Sequence, residues 1–383
     1  MNLNTGGWAS RALTPLLRII RGATNATVPV VVISEPVNSE TAALVNADVA
    51  IVAKGTGATL AQVPDGTVLG GNKRGIYATD WQKVRGDRTY VASGNYSTIG
   101  GGWENVASGQ DSVIAGGRFN NAGATRAAIA GGEFNVASSQ YSFIGGGQSN
   151  TAQTSSYATV CGGANNTASG TYSFVGGGQL NTASASNAVV SGGSSNTASA
   201  TSAAVIGGDS NTANAIVSTV LGGFYGTTRN IEGNCVIPAC NAPIAPGAGR
   251  TQSALLLLGR QTTDATATVL TSNTFAASTT NQVILPNNSA YSFSVEVIAG
   301  RTGGGDTARW TINGAIKRGA GAGTTAMVGT PTVTMTHNDA GAAAWVVNVT
   351  ADTTNGGISV TVTGAASTTI RWVTKLNTTE MSY

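Results

Sequence analysis

A Gly-Gly pair returns through the middle of this chain with its second glycine at Gly102, Gly117, Gly132, Gly147, Gly163, Gly178, Gly193, Gly208 and Gly223, always 15 residues apart except for one interval of 16. Three residues before each second glycine stands Ile99, Ile114, Ile129, Ile144, Val160, Val175, Val190, Val205 or Val220, and five before it Ser or Ala, from Ser97 to Ser218. Three after it comes Asn105, Asn120, Asn135, Asn150, Asn166, Asn181, Asn196 or Asn211, and five after it Ala107, Ala122, Ala137, Ala152, Ala168, Ala183, Ala198 or Ala213. Agreement at five positions over eight consecutive units is no accident of composition. A period this short and regular marks a stacked solenoid.

Within a unit the offsets run in steps of two, the periodicity of strands. Ser or Ala with Ile or Val share one face of a short strand, Asn with Ala one face of the next, and the glycines between them permit the positive φ of a tight corner. The opposite face is assigned Tyr96, Tyr141, Phe143, Tyr157, Tyr172 and Phe174. Two strands and two turns make one coil, and nine coils stacked by parallel pairing rise roughly 43 Å. The Ile/Val column is the expected roll core. Residues 91–226 carry only Glu104, Asp111, Arg118, Arg126, Glu133 and Asp209 as charges, which fits a stack in which like charges at one position would sit about 5 Å apart. Asn can instead ladder its amide from coil to coil.

Composition removes several classes. Gly is 53 of 383 residues but Pro only 9, which excludes collagen. Charged residues are 10% against about a quarter in ordinary domains, as expected where surface is hidden by stacking or self-association. Net charge is +3 with scattered basic residues, so no nucleic-acid partner is expected. Cys161, Cys235 and Cys240 have no zinc spacing; Cys235 and Cys240 read either as a local bridge or as two thiols packed as small hydrophobes. Arg11, Arg18 and Arg21 interrupt the apolar N-terminal stretch, so neither a secretory signal nor membrane insertion is expected, and synthesis is expected in a cytoplasm. A thin core of small inward residues beside an uncharged flank points further to lateral packing of copies, with three about an axis as the closed solution.

The unit Ser-x-Ile-x-Gly-Gly-x-x-Asn-x-Ala resembles the head repeats of trimeric autotransporter adhesins, the YadA-like family, and of phage tail fibres that share them. The match covers residues 91–226, and it implies a left-handed parallel β-roll assembled as a homotrimer. Residues 45–85, with Val45-Asn-Ala-Asp-Val-Ala-Ile-Val-Ala-Lys and Gly70-Gly-Asn-Lys-Arg-Gly, resemble the segment that precedes such repeats in phage fibre proteins. The reading departs from the adhesins in expecting no leader, no sustained heptads and no C-terminal barrel strands. The resemblance therefore favours a virion fibre of a phage tail over a bacterial surface adhesin.

The chain divides into a virion-attachment segment (1–40), a β-rich neck (41–90), the roll (91–226), a Pro- and Gly-rich linker (227–251) and a C-terminal domain (252–383). A short helix is expected from Ala9 to Arg21, broken by Pro15; its stripe of Leu13, Leu16, Leu17, Ile19 and Ile20, with Trp8, either caps the first coil or docks on a baseplate, tail or other structural protein of the virion. After residue 252 alternation takes over in Tyr291-Ser-Phe-Ser-Val-Glu-Val, Trp345-Val-Val-Asn-Val and Ile358-Ser-Val-Thr-Val-Thr, with Asn355-Gly-Gly as a hairpin signal. Eight or nine short strands suggest an antiparallel β-sandwich with Trp310, Trp345 and Trp372 in its core. The expected fold class is thus all-β: a trimeric left-handed parallel β-roll of about nine 15-residue coils followed by a β-sandwich knob.

Recognition chemistry is sparse. His337, the only histidine, is read as a turn residue. No nucleophile–base pairing or P-loop is present, Glu104 and Glu133 stand at unequal offsets from their glycines, and no cofactor or metal is expected. The chain reads as a non-enzymatic binder and spacer, with a glycan-cleaving tailspike as the enzymatic alternative, which would need paired carboxylates beside a groove. Binding residues concentrate on loops held by a scaffold, so Gly303, Gly304, Gly305 and Asp306, and His337, Asn338 and Asp339, are the candidates for a host cell-surface glycan or protein; the alternative is a domain that only caps the roll. One prediction follows from the face assignment. Ile144→Asp buries an unpaired carboxylate at a cost of several kcal/mol, so the variant should fail to give soluble, β-rich protein by circular dichroism.

Overall fold

The structure, a computed structural model, describes residues 57–383 except Ala242 and Ala245, together with the backbone of the strands Arg18–Arg21 and Pro29–Val32. These two strands pair antiparallel, with Ile19 opposite Val31 and Ile20 opposite Val30. The helix expected from Ala9 to Arg21 is therefore corrected over its last four residues. β-branched Ile and Val facing β-branched partners favour the pleated conformation over a helical turn. Trp8, Leu13, Leu16 and Leu17 lie outside the described residues.

The solenoid is present and longer than nine coils. One parallel ladder runs through Thr98–Ile99, Val113–Ile114 and their successors to Thr219–Val220, extended by Thr59–Leu60 and Thr79–Asp80 before it and Cys235–Pro238 after it. These twelve strands make about eleven turns. The added rungs lack the Gly-Gly and Asn signature, and Asp80 takes the register position of the Ile/Val column, which is why periodicity alone misses them. A second ladder pairs Val106–Ala107 through Thr212–Ala213 in eight strands. The Ile/Val column (Ile99, Ile114, Ile129, Ile144, Val160, Val175, Val190, Val205, Val220) is buried and packs on the Ala column at 107–213 in one continuous core.

Each coil turns at two corners where a non-glycine residue takes a left-handed backbone conformation: Tyr96, Asp111, Arg126, Tyr141, Tyr157 and Tyr172 at one, and Glu104, Phe119, Phe134, Ser149, Asn165 and Leu180 at the other, all with φ between 55° and 65°. The tyrosines placed above on the back of a strand are thus corner residues, and Tyr141, Tyr157 and Tyr172 stack with centroids 4.8 Å apart. Phe143 and Phe174 do face outward from strands. The one 16-residue unit takes up its extra residue at a corner, where Thr154 has φ 71°, so the pairs Phe143–Thr159 and Thr151–Thr167 keep the ladder in register.

The C-terminal domain comprises β1 (Cys235–Pro238), β2 (Thr251–Thr262), β3 (Ser289–Arg301), β4 (Thr307–Arg318), β5 (Thr332–Asn338), β6 (Val346–Asp352), β7 (Gly357–Thr363) and β8 (Ile370–Ser382). One antiparallel sheet has the order β1-β2-β8-β3-β4-β5, and β6 and β7 form a second with the short strands Thr268–Val269 and Val283–Ile284. The two share a core of Leu256, Phe293, Trp310, Trp345, Val360 and Trp372 among others. The strands of the first sheet are long rather than short, because in/out alternation persists over 12 or 13 residues in β2, β3, β4 and β8. Residues 227–251, read as a linker, contain β1, which pairs parallel to the last repeat strand on one edge and antiparallel to β2 on the other. All three cysteines are free thiols, and Cys161 and Cys240 are exposed rather than packed.

A left-handed β-branched residue is strained by roughly 1–2 kcal/mol, and Val217 holds φ 54° with its side chain exposed. Val217→Asn should therefore raise stability by about 0.5–1 kcal/mol, read as an upward shift of the thermal midpoint; a downward shift would contradict the corner geometry.

Candidate functional site

The first sheet positions the candidate recognition loops. Its long strands start at the last solenoid rung, where Pro238 faces Gln252, Gln252 faces Glu380 and Glu380 faces Tyr291. They finish where Thr262 meets Ile370 and Arg301 meets Ile370. Twelve residues of β2 at about 3.4 Å each separate the two ends by roughly 40 Å. The β3–β4 hairpin turn with Gly303, Gly304, Gly305 and Asp306 caps the far end.

The structure brings the two predicted loops together there. The Thr307 backbone N–H donates to Asp339 Oδ2 at 2.8 Å, and the Gly341 N–H donates to Asp306 Oδ1 at 3.1 Å. His337 lies not in a turn but on β5, opposite Arg309, and Asn338 opposite Ala308. The bulge between Arg309 and Trp310 arises because Trp310 pairs with Met335, leaving Thr336 to exchange side-chain contacts with Arg309. Gly303 and Gly304 both hold φ 89°, and a Cβ at either would meet nothing; glycine is needed for the turn, not for space.

Two neighbours escaped sequence reasoning. The Thr302 N–H donates to the Thr369 carbonyl, tying the β7–β8 loop to this tip, and Arg301 places Nη1 4.0 Å from Asp306 Oδ2. The tie to Thr369 has no local sequence signal, since it depends on β8 returning between β2 and β3, whereas the Arg301–Asp306 contact spans the β3–β4 turn itself. The loops are largely exposed, with both carboxylates accepting backbone N–H groups. Such a surface can offer hydrogen-bonding groups to a large partner. Among the described residues no His/Cys/Asp/Glu group could hold a metal ion, and no helix is long and apolar enough to cross a membrane.

The base of the same sheet is a buried polar joint. Arg229 contacts the Glu380 carboxylate and the Tyr291 hydroxyl, with its guanidinium 5.3 Å from the Tyr291 ring centroid. Gln252 Nε2 donates to Glu380 Oε2 at 2.8 Å and to the Thr227 carbonyl at 3.0 Å, and its Oε1 accepts the Thr227 N–H at 3.0 Å. Burial, reinforced by the nearby Glu380 charge, pushes the Tyr291 hydroxyl well above the usual tyrosine range, so it stays protonated and able to donate.

No protein-family model matches the chain, and no curated protein does. Among solved structures it is similar to the Acinetobacter baumannii phage AM24 tailspike protein (9% identity, TM-score 0.20), over 80% of this chain and 56% of that one. It is also similar to the Acinetobacter phage vB_ApiP_P1 tailspike protein (8% identity, TM-score 0.19), over 85% of this chain and 74% of that one. The chain thus spans little more than half of the first tailspike's length. The expectation of a chain without enzymatic activity is withdrawn, because both neighbours are tailspikes, the class set out above as the enzymatic alternative.

The carboxylate ties at the tip can be tested directly. Asp339→Ala removes the acceptor of the Thr307 N–H, worth about 1 kcal/mol. Amide exchange at Thr307 should accelerate severalfold while Asn348, on β6, is unchanged; equal exchange at Thr307 would show that the loops are not coupled.

Proposed function

We propose that the chain is a receptor-binding component of a phage tail, of the fibre or tailspike kind. In this reading the solenoid keeps distance from the virion and the tip of the C-terminal domain meets the host surface. The observation that carries it is the placement of Gly303, Gly304, Gly305, Asp306, His337, Asn338 and Asp339 in one cluster, at the opposite end of the long strands from the solenoid. Loops held on a rigid scaffold are where recognition residues gather. The N-terminal segment, with Trp8, Leu13, Leu16, Leu17, Ile19 and Ile20, is the end assigned to the virion.

The reading includes a homotrimer. The outward flank of the first solenoid ladder presents Val113, Phe143, Ile206, Leu221 and Ile237 to solvent, and no charged residue occupies that flank in the repeat. Exposed apolar side chains on an uncharged face of this kind favour self-association. Three tips on one axis would also gain avidity from effective concentration.

The test uses the full chain. It should sediment as a trimer of the 38.1 kDa protomer and block adsorption of its phage to host cells. Replacing Asp306 and His337 together by alanine should leave the trimer intact and weaken that competition about tenfold or more. A stable monomer contradicts the assembly, and undiminished competition by the double variant contradicts the placement of the receptor site.

A further inference from the structure

One corner of the coil carries a column of tyrosines that the turn does not require. Five of the chain's nine tyrosines stand in it, Tyr77, Tyr96, Tyr141, Tyr157 and Tyr172, each with a left-handed backbone. Asn187, Ser202 and Val217 hold the same conformation in later coils, at φ 56°, 56° and 54°, so the corner forms without an aromatic ring. Backbone hydrogen bonds fix each corner on the coil before it. The Tyr157 N–H donates to the Gln140 carbonyl at 3.0 Å and the Tyr172 N–H to the Ser156 carbonyl at 3.2 Å.

Tyr141, Tyr157 and Tyr172 form a continuous stack. Their ring centroids are 4.8 Å apart at both steps, with the planes 1° and 14° from parallel. That separation is the spacing of paired strands, so each ring is close to a translated copy of the one before it. The carbon ortho to one hydroxyl therefore faces its counterpart on the next ring. The first ring is held in place: Arg126 Nη1 donates to the Tyr141 hydroxyl, and the guanidinium lies 5.2 Å from the ring centroid. Tyr157 and Tyr172 are 42% and 58% exposed, so a dissolved oxidant reaches both phenols.

We propose that Tyr157 and Tyr172 are a site of oxidative cross-linking, joined ring to ring as an intrachain dityrosine when hydrogen peroxide acts through a peroxidase-type, one-electron oxidant. Each phenol gives up one electron and its hydroxyl proton, and the phenoxyl radical that results carries part of its unpaired spin on the ortho carbons. The two radicals pair to form one carbon–carbon bond. The hydrogen on each bonded carbon then leaves as a proton while a proton returns to each oxygen, which restores both phenols. Two protons and two electrons are removed in all, and they reduce one hydrogen peroxide to two waters. Such coupling ordinarily waits for two radicals to meet. Here the second ring is already one rung away, which turns an encounter into a local motion, and each tyrosine has two side-chain torsions with which to close the gap. The bond ties two consecutive coils in a chain whose three cysteines are all free thiols, and thiols do not reverse it. The chemistry needs only the stack and is the same whatever the tip recognises.

The experiment treats the full-length protein with a haem peroxidase and hydrogen peroxide. It is done in a Tyr96→Phe background, which removes the other stacked pair, Tyr77 with Tyr96 at 5.2 Å. Dityrosine fluorescence should appear in the band that migrates as a single protomer on a denaturing gel. Mass spectrometry of elastase digests should place the link between Tyr157 and Tyr172, with the loss of two hydrogens. Tyr157→Phe and Tyr172→Phe each keep a ring in the stack and should lower that yield about fivefold or more, whereas Tyr141→Phe should leave it within about twofold. Because phenylalanine preserves the stacking, all three variants should keep the parent's circular dichroism. Dityrosine confined to bands of two or three protomers, a link mapped elsewhere in the chain, or a yield indifferent to Tyr157→Phe would each overturn the proposal.

Discussion

Everything in the solenoid depends on the asparagine ladder. Eight fully buried asparagines, from Asn105 to Asn211, repeat one pattern. Each Nδ2 donates to the glycine carbonyl four residues back where its own coil turns and to the second glycine of the following coil, as Asn166 does to Gly162 and Gly178 at 2.9 Å. Each Oδ1 except that of Asn211 accepts the backbone N–H of the following asparagine, as Asn150 does from Asn166 at 3.0 Å. One side chain thus satisfies groups in two adjacent rungs. Aspartate would lack the donors and bury a charge, and serine could not reach. Glycine is bound to the same device: a Cβ at Gly193 or Gly208 would lie 2.6 Å from the amide nitrogen of Asn196 or Asn211. Leaving such buried groups unpaired costs about 1–3 kcal/mol each, so Gly-Gly and Asn are one physical unit rather than two preferences.

A ladder of this kind must be terminated, and the two ends solve that differently. At the start, Gln82 Oε1 accepts the Asn105 N–H at 2.9 Å, imitating a preceding asparagine. Beside it Asp80 replaces the Ile/Val of the core column, and its buried carboxylate accepts from Arg74 Nε at 2.8 Å and Arg85 Nη2 at 3.1 Å. Burial pulls the Arg74 guanidinium below its ordinary range, and the Asp80 charge opposes that pull. At the finish, the Gly226 N–H donates to Asn211 Oδ1 at 2.7 Å, and the Arg229, Glu380, Tyr291 and Gln252 joint follows at once. Buried ion pairs are weak sources of net stability but costly to break. Both are placed where the Asn and Ile/Val pattern stops, the first with one more rung, Thr59–Leu60, paired beyond it.

The legibility of the sequence follows from these constraints. Ile99 to Val220 and the asparagines could be read because the same contact recurs nine and eight times, and each repetition strengthens the signal. The terminal rungs could not, because Asp80 and Gln82 do by different chemistry what Ile99 and Asn105 do by pattern. Corner conformation was also hidden: Tyr141, Phe134 and Leu180 occupy left-handed backbone that glycine or asparagine would ordinarily mark. In the C-terminal domain, alternation identified the strands and the buried tryptophans, and glycine runs identified the β3–β4 turn. The pairing order was beyond reach, because β8 inserts between β2 and β3 through pairs far apart in sequence, such as Thr251 with Met381 and Ser289 with Ser382. For the same reason His337 was placed in a turn and the tie from Thr302 to Thr369 was missed.

Stacking also decides where this molecule can vary. Inward positions must repeat, since each is packed or hydrogen-bonded to its own copy in the next coil. The flank of the first ladder must remain free of like charges one rung apart. Only the corners and the column just after the Gly-Gly pair accept large or charged side chains, because there unlike or stacking neighbours can sit one rung apart, as Arg118 beside Glu133 and Tyr157 between Tyr141 and Tyr172. The C-terminal domain escapes the constraint altogether, because its antiparallel sheet grows from the last rung without inheriting the repeat. β1 keeps the solenoid's register on one edge and starts an antiparallel order on the other, so a single four-residue strand converts a periodic spacer into a scaffold whose loops can each be different. Chemical individuality is therefore concentrated where periodicity ends, at the corners of the coils and at the far end of the long strands.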